Sequence, residues 1–417
     1  MANAYIIDAV RTYRSIGKMG KGALSTMHPE HLSATVLAAL RDRNNLNTAD
    51  VDDVIWGVSG AIGLQGGDIG RNAALDAGYD VRAGGVTLNR FCGSSITSTN
   101  FGAAMIMSGM HDLVVTGGMD MLSYVNWYGM KMREAGLGGG GMGTGNPRLQ
   151  AKHPQSNQGL CADAIAAIEG ITREELEEMG VESQRRAAIA IREGRFDKST
   201  IVVKDDAGNV ILDHEEYPRP ETTKEGLAQL KPAFEMFLNM PSQEGGKTYA
   251  ELINQVYPDV EIKPIHHVGI SSGVVDGAAG LLLASKDYAD KHGLKPRARI
   301  VAMAEIGDCP TLMLNAPVPA AKKVLEKAGL TTDDIDVWEV NEAFAVVVEK
   351  FIRDLGLDRA KVNPNGGSIA LGHPIAGTGA ILIGTALDEL ERTGGRYGLV
   401  TMCAAGGMAP AIIIERV

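Results

Sequence analysis

The chain has 417 residues, a net charge of −11 and 45% hydrophobic residues, of which few are aromatic. That length accommodates two or three domains around an aliphatic core, and the negative balance argues against nucleic acid as the main partner. The 52 glycines follow no Gly-X-Y period, which excludes collagen, and no apolar run reaches the ~18 residues of a membrane span.

The N-terminus reads as a short apolar strand over 4–10 ending in Arg11, without the pattern of a signal peptide. Residues 29–45 read as an amphipathic helix with Leu32, Val36, Leu37 and Leu40 on one face. Strands are expected at 54–58 and 86–89. A helix of small, uncharged residues over 94–108 is expected to be buried on both faces, with a strand at 113–116 after it. Strands alternating with helices predict a mostly parallel α/β sheet.

From 124 to 267 the sequence is more polar and less periodic, as in an insertion projecting from the sheet. It opens with a glycine-rich loop over 136–145. Thr172 and Glu175 form a capping box that starts a helix running to about 195. Residues 201–203 and 210–212 flank a hairpin signal. Alternation resumes at 269, with a buried small-residue helix over 276–285, a strand at 299–304, a helix at 316–328 and a strand at 337–340.

Two stretches recur. L-N-T-A-D-V-D (46–52) and L-T-T-D-D-I-D (330–336) each precede a strand. N-R-F-C-G-S-S (89–95) aligns with N-P-N-G-G-S-I (363–369), and each is followed by a small-residue helix and an apolar strand. Duplicated halves would pack their central helices back to back. The turns of Cys92 and His373 would then lie at equivalent ends of two half-domains, close in space.

His373 sits among glycines and prolines in residues 363–379, which fits either an imidazole held in a set pose or a tight turn before a helix. Cys92 stands between a strand and a helix start, where a helix N-terminus and an imidazole would favour the nucleophilic thiolate; an arbitrary cysteine is more often buried and inert. Cys403 follows a strand, in a setting matched to the Thr116-Gly-Gly turn of the repeat. Strand ends of this kind face the ligand crevice in open α/β sheets. Asn341 ends another strand, where its amide could hold a water or a carbonyl. Cys161 and Cys309 read as structural, and His153, His266 and His267 as surface or structural histidines. Four cysteines without a C-x-x-C pair predict neither zinc nor a disulfide framework, but free thiols in a reducing, cytoplasmic setting.

Together these motifs resemble the thiolase family, in particular its acetyl-CoA acetyltransferase and 3-ketoacyl-CoA thiolase group. N-R-F-C-G-S-S, N-E-A-F-A, G-G-S-I-A-L-G-H-P and C-A-A-G-G occur in the family's order and spacing, nearly end to end. The resemblance implies an α/β fold of two duplicated βαβαβαββ halves in a five-layer αβαβα arrangement with an inserted loop domain. The halves would be 1–123 with 268–290, and 291–417; the loop domain would be 124–267. It implies a ping-pong transfer in which Cys92 attacks the keto carbon of a 3-ketoacyl-CoA and His373 takes its proton. Cys403 would protonate the departing acetyl-CoA carbanion, and CoA would then collect the acyl group. Run backward, this is a Claisen condensation. Asn341, through a water, and His373 would hold the thioester oxygen. Backbone N–H groups of Cys92 and Ala405 would hold the acyl-enzyme oxygen.

Arg219, Phe234, Ser272, Gly273 and Phe344 match positions that line the family's CoA tunnel. CoA would be a cosubstrate, with no permanently bound cofactor and no metal. A cytoplasmic homodimer or homotetramer of acyl-CoA or lipid metabolism would follow, with no nucleic-acid or membrane partner. The chain departs from the family at Asn157-Gln158, where His-Met is usual, at Ile270 in place of Asn, at Ala405 where many members have Gly, and in an extra stretch over 235–263. A ketoacyl synthase would pair two histidines with one cysteine, which Asn341 and Cys403 do not match. A non-catalytic, lipid-carrying protein on the same fold is the remaining alternative.

Overall fold

The computed structural model describes residues 3–137, 146–242 and 245–417. The glycine-rich loop expected over 136–145 lies outside them except for its first two residues. In chain order the framework of the first half is β1 (Ala4–Thr12), α1 (Pro29–Arg43), β2 (Asp53–Val58), α2 (Ile69–Asp76), β3 (Val86–Leu88), α3 (Ser94–Ser108) and β4 (Leu113–Met121). Next come α4 (Leu122–Glu134), α5 (Gln158–Glu169), α6 (Arg173–Arg192) and β5 (Val275–Ser285). The second half adds β6 (Ala298–Gly307), α7 (Pro317–Ala328), β7 (Val337–Val340), α8 (Ala345–Leu355), α9 (Thr378–Thr393), β8 (Tyr397–Thr401) and β9 (Met408–Arg416).

The sheet runs β7-β8-β9-β6-β1-β5-β4-β2-β3. Within the sheet, among the described residues, the halves join where β1 pairs β6 antiparallel, Tyr5 with Arg299 and Ile6 with Ala298. Each half has the same strand order reflected about that joint, with Val362 bridging Trp338 where β3 pairs β2 in the first half. The helices α3 and α9 pack against each other and against both halves of the sheet, while α1 with α2 and α7 with α8 cover the outer faces. The result is the five-layer αβαβα arrangement. Its most telling internal symmetry is a carboxylate. Asp52 accepts the N–H groups of Asp112 and Leu113 (2.8 and 3.1 Å), and Asp336 accepts those of Arg396 and Tyr397 (2.7 and 3.1 Å). Each ties the turn before the second strand of its half to the end of the central one.

Four sequence expectations are corrected. Residues 276–285 are not a helix but belong to β5, which lies between β1 and β4 and is buried along its whole length. A run buried on both faces carries no period, and its Ala and Leu content looks helical. Gly280 allows the close packing: a Cβ there would lie 3.1 Å from Val36 and 3.3 Å from Trp56. The sheet is mixed rather than mostly parallel, because β5 and β9 return antiparallel beside their neighbours. Helix α3 is not buried all round, since Phe101 is 42% exposed. Finally, Thr116-Gly-Gly is not a turn, because β4 continues to Met121. The strand registers pair Asp53 with Val114 and Val337 with Gly398, so the position equivalent to Cys403 in the first half is Met119 within β4.

In the inserted region, Phe237, Tyr249, Tyr257 and Ile262 pack on an apolar cluster that joins α5 and α6 to β6, α7, β7 and α8 of the second half. The hairpin expected around 205–209 forms as a short pair, Val203–Lys204 with Val210–Leu212. Thr172 and Glu175 make the expected capping box. No helix among the described residues is long and apolar enough to cross a membrane.

Candidate active site

The Cys92 turn is built by its own neighbours. Asn89 Oδ1 accepts the Phe91 N–H (2.7 Å), and Ser94 Oγ accepts from the Arg90 N–H (2.9 Å) while donating to the Phe91 carbonyl (2.6 Å). This cage holds Phe91 at φ 49°, a left-handed conformation that costs a non-glycine residue about 1–3 kcal/mol. The kink delivers Cys92 just ahead of α3. Arg90 forms an ion pair with Glu305 of β6, tying the turn to the second half.

His373 arrives by a longer route. After Asn363 the chain makes one helical turn, Ser368–Leu371, passes Gly372 at φ 93°, and reaches α9 only at Thr378. The aligned motifs 89–95 and 363–369 are therefore out of step in space: Ser94 starts a central helix, whereas Ser368 starts a single turn. The central helices still meet as duplication predicts. The Ala380 N–H donates to Ser95 Oγ (2.9 Å), and a Cβ on Gly379 would lie 2.6 Å from the Ile96 backbone nitrogen.

Three polar contacts fix the imidazole. Its Nδ1 is 2.6 Å from Thr378 Oγ1, its backbone N–H donates to the Gly273 carbonyl (2.8 Å), and its Nε2 lies 3.4 Å from Asn341 Nδ2. Ser368 Oγ donates to Asn341 Oδ1 (2.6 Å), which turns the amide nitrogen toward the imidazole. With Nδ1–H donating to Thr378, Nε2 carries the lone pair. Burial lowers the His373 pKa to about 3, so the ring is neutral at rest. Sequence reading found His373 and Asn341 but not Thr378 or Ser368, which are common residue types whose partners appear only in the fold.

Cys403 lies two residues beyond β8, in a turn closed by the Ala404 N–H to the Met408 carbonyl (2.7 Å) and by Gly406 and Gly407 at φ 80° and 78°. The turn rests on 308–309: the Asp308 N–H donates to the Gly407 carbonyl (2.6 Å), and Tyr257 of the extra stretch donates to Cys309 Sγ (3.3 Å). It faces the Cys92 turn, since a Cβ on Gly93 would lie 2.8 Å from Pro410 and 3.5 Å from the Ala404 Cβ. Among the described residues, no backbone carbonyl accepts from the N–H of Cys92 or Ala405. Both thiols are buried. Burial first, then the nearby Cys403 and Asp120, push the Cys92 pKa far up; burial pushes Cys403 to about 12. At Cys92 burial thus outweighs the helix end that would favour a thiolate, and the neutral thiol is the resting form. Asp120 stands behind both turns. It accepts from Ser59 Oγ (2.6 Å) and from the Ala376 N–H (2.8 Å) just after His373, and burial raises its pKa to about 6 against these donors.

A chamber of about 810 Å³ opens beside this centre, with Phe234 and Ser272 on its lining. Cys92, His373 and Cys403 are not on the lining; Gly273 connects them to it, through the His373 contact and its own N–H to the Ser368 carbonyl (3.0 Å). A Cβ on Gly273 would lie 2.2 Å from the Tyr217 ring, so glycine is needed for that ring to close the wall. Phe344 meets the Phe234 ring edge-on, with centroids 5.7 Å apart. Arg219 is exposed, its guanidinium 5.8 Å from the Tyr217 ring centroid. Asn157 caps α5 through the Gly159 N–H (2.9 Å), and Gly159 lies against Phe234. His266 and His267 are buried beside Asp163 and Glu177, at 2.7 and 3.1 Å.

Residues 4–237 match the profile described as thiolase, N-terminal domain, and residues 294–416 match thiolase, C-terminal domain. The whole chain is 42% identical to a steroid 3-ketoacyl-CoA thiolase of Mycobacterium tuberculosis, covering 95% of it. It is 38% identical to a β-ketoadipyl-CoA thiolase of Acinetobacter baylyi, with both chains covered in full. The solved structure of the Bacillus anthracis acetyl-CoA acetyltransferase superposes at a TM-score of 0.82 and 30% identity, over 100% of this chain and 99% of that one.

Proposed function

The chain belongs to the thiolase family, and from that premise we propose how its own residues carry the reaction. It is an acyltransferase, a thiolase that uses CoA to cleave a 3-ketoacyl-CoA into acetyl-CoA and a shortened acyl-CoA, or joins them in reverse. The observation that supports the assignment of roles is that the Cys92 and Cys403 turns face each other at Gly93 and Ala404, while the central helices that follow Cys92 and His373 meet at Ser95 and Ala380. His373 Nε2 takes the Cys92 proton as the sulfur attacks the keto carbon. An imidazolium is disfavoured in this buried site, so the developing oxyanion beside it must stabilise it, which couples proton transfer to bond formation. Asn341 completes that hole. Cys403, protonated at rest, supplies the proton to the acetyl-CoA carbanion as the carbon–carbon bond breaks. The N–H groups of Cys92 and Ala405 hold the acyl-thioester oxygen while the CoA sulfur attacks: the proton of the CoA thiol restores Cys403, the bond from the acyl carbon to Cys92 breaks, and Cys92 leaves with the proton that His373 holds.

Phe234, Ser272 and Gly273 form the CoA wall, with Phe344 behind it and Arg219 outside as a cation for the nucleotide. CoA is a cosubstrate and no cofactor is permanently bound. The division into 1–123 with 268–290, 124–267 and 291–417 is supported by β5, which crosses back into the first sheet. A cytoplasmic homodimer or homotetramer is the assembly proposed; the association is supported by the outer edge of β3, which ends the sheet, and by the exposed apolar residues Phe101 and Met110. The test is alkylation by iodoacetamide. Cys92 is expected to be the labelled residue, acetyl-CoA to protect it, and the rate in the free enzyme to climb from pH 7 through 9. Unprotected labelling would favour a non-catalytic carrier, and a plateau below pH 7.5 would mean a preformed thiolate.

A further inference from the structure

We propose that the apolar lining of the chamber around Trp127 and Met130 binds the acyl chain, and that it selects an uncharged, apolar chain much larger than acetoacetyl. The inference rests on the thiolase reading of the adjacent centre and adds the substrate class. Four large apolar residues border the chamber while remaining partly exposed: Trp127 (38%), Met130 (45%), Val268 (66%) and Val274 (48%). Met19 and Ile16 close the same wall. Side chains of this kind at a cleft mouth leave water in contact with hydrocarbon, which is unfavourable unless a ligand covers them.

The wall is held rigidly. Glu216 accepts from Ser15 Oγ (2.7 Å) and the Ile16 N–H (2.9 Å), and Asp276 accepts from Ser123 Oγ (2.5 Å) at the start of α4, the helix that carries Trp127 and Met130. Among the described residues no acidic side chain lines the chamber, and the one basic residue that does, Lys18, is exposed and makes no ion pair. A volume of about 810 Å³ is near the upper end of the ~300–1,000 Å³ typical of small-molecule sites. The CoA arm against Phe234 leaves the Trp127 side to the acyl group, and acetoacetyl would leave most of that side uncovered. A chain ending in a carboxylate would bring its charge against Trp127 and Met130, with Lys18 alone to meet it.

The test is thiolysis of acetoacetyl-CoA, 3-ketodecanoyl-CoA and 3-ketoadipyl-CoA by the wild type, Trp127→Ala and Lys18→Ala. The decanoyl substrate is expected to exceed the adipyl one in kcat/KM by tenfold or more. Trp127→Ala should lower the decanoyl value about tenfold more than the acetoacetyl value, mainly through KM, in line with the 10–200-fold that apolar pocket contacts supply. A preference for the adipyl substrate that disappears in Lys18→Ala would overturn the proposal, as would equal losses on all three substrates in Trp127→Ala. Absence of turnover on every substrate would instead reject the thiolase reading itself, and the chamber assignment with it.

Discussion

In the first half, residues 89–93 carry the chain from β3 directly into α3. In the second, residues 363–377 make the same passage from Val362 to α9. The anchors on either side are alike, down to Asp52 and Asp336 accepting equivalent pairs of N–H groups. The turns themselves differ. The short one uses its polar side chains, Asn89 and Ser94, on its own backbone, so it bends through Phe91 and presents one sulfur at a helix start. The long one adds a helical turn, and with it Ser368, Gly372 and Thr378, which together orient an imidazole and an amide. A duplicated scaffold can thus be conserved in its joints while its two loops take up nucleophilic and acid–base work separately.

The largest effects should come from the residues that divide this labour. Cys92→Ser is expected to lower thiolysis by about 10⁴-fold or more and to abolish the acyl-enzyme, since a serine hydroxyl beside a neutral imidazole is a far weaker nucleophile. Acylation surviving at another cysteine would break the comparison. Cys403→Ala should lose about 10²–10⁴-fold in carbon–carbon cleavage yet still exchange acyl groups between short acyl-CoA and CoA. Equal loss in both reactions would mean that Cys403 is not a separate acid.

Thr378→Val tests the long turn more finely. Without its acceptor the imidazole can place its proton on Nε2, and kcat should fall about 10–100-fold in both half-reactions. KM and thermal stability should stay close to the wild type. A loss confined to one half-reaction would argue against His373 serving both. The smallest effect concerns the joints. Asp52→Ala and Asp336→Ala should each cost about 1 kcal/mol in denaturant unfolding and leave kcat unchanged. A marked difference between them would show that the two halves are not anchored alike.

Much of the site was legible because its turns are written in residues with strong conformational meaning. Gly93 after Cys92, Gly372 and Pro374 around His373, and Gly406-Gly407 after Cys403 mark places where the backbone must bend or come close. What stayed hidden depends on distant partners. Thr378 and Ser368 look like ordinary helix residues until His373 and Asn341 are beside them. Strand β5 lacks a period because both its faces are buried. The repeat was visible, but its register slipped because residues 363–377 outnumber 89–93, and a gap of that kind leaves no local signature. The stretch 235–263 read only as a departure from the family, yet it packs on a cluster shared with the second half, with Tyr257 reaching the loop beneath the Cys403 turn.

The division of labour is tested most directly by mapping the acyl group after mixing the enzyme with acetyl-CoA and quenching in acid. The label should sit on the Cys92 peptide in the wild type and in Cys403→Ala alike, at near-stoichiometric levels. Label on Cys403, or an unlabelled Cys92 peptide in an enzyme that still turns over, would contradict it.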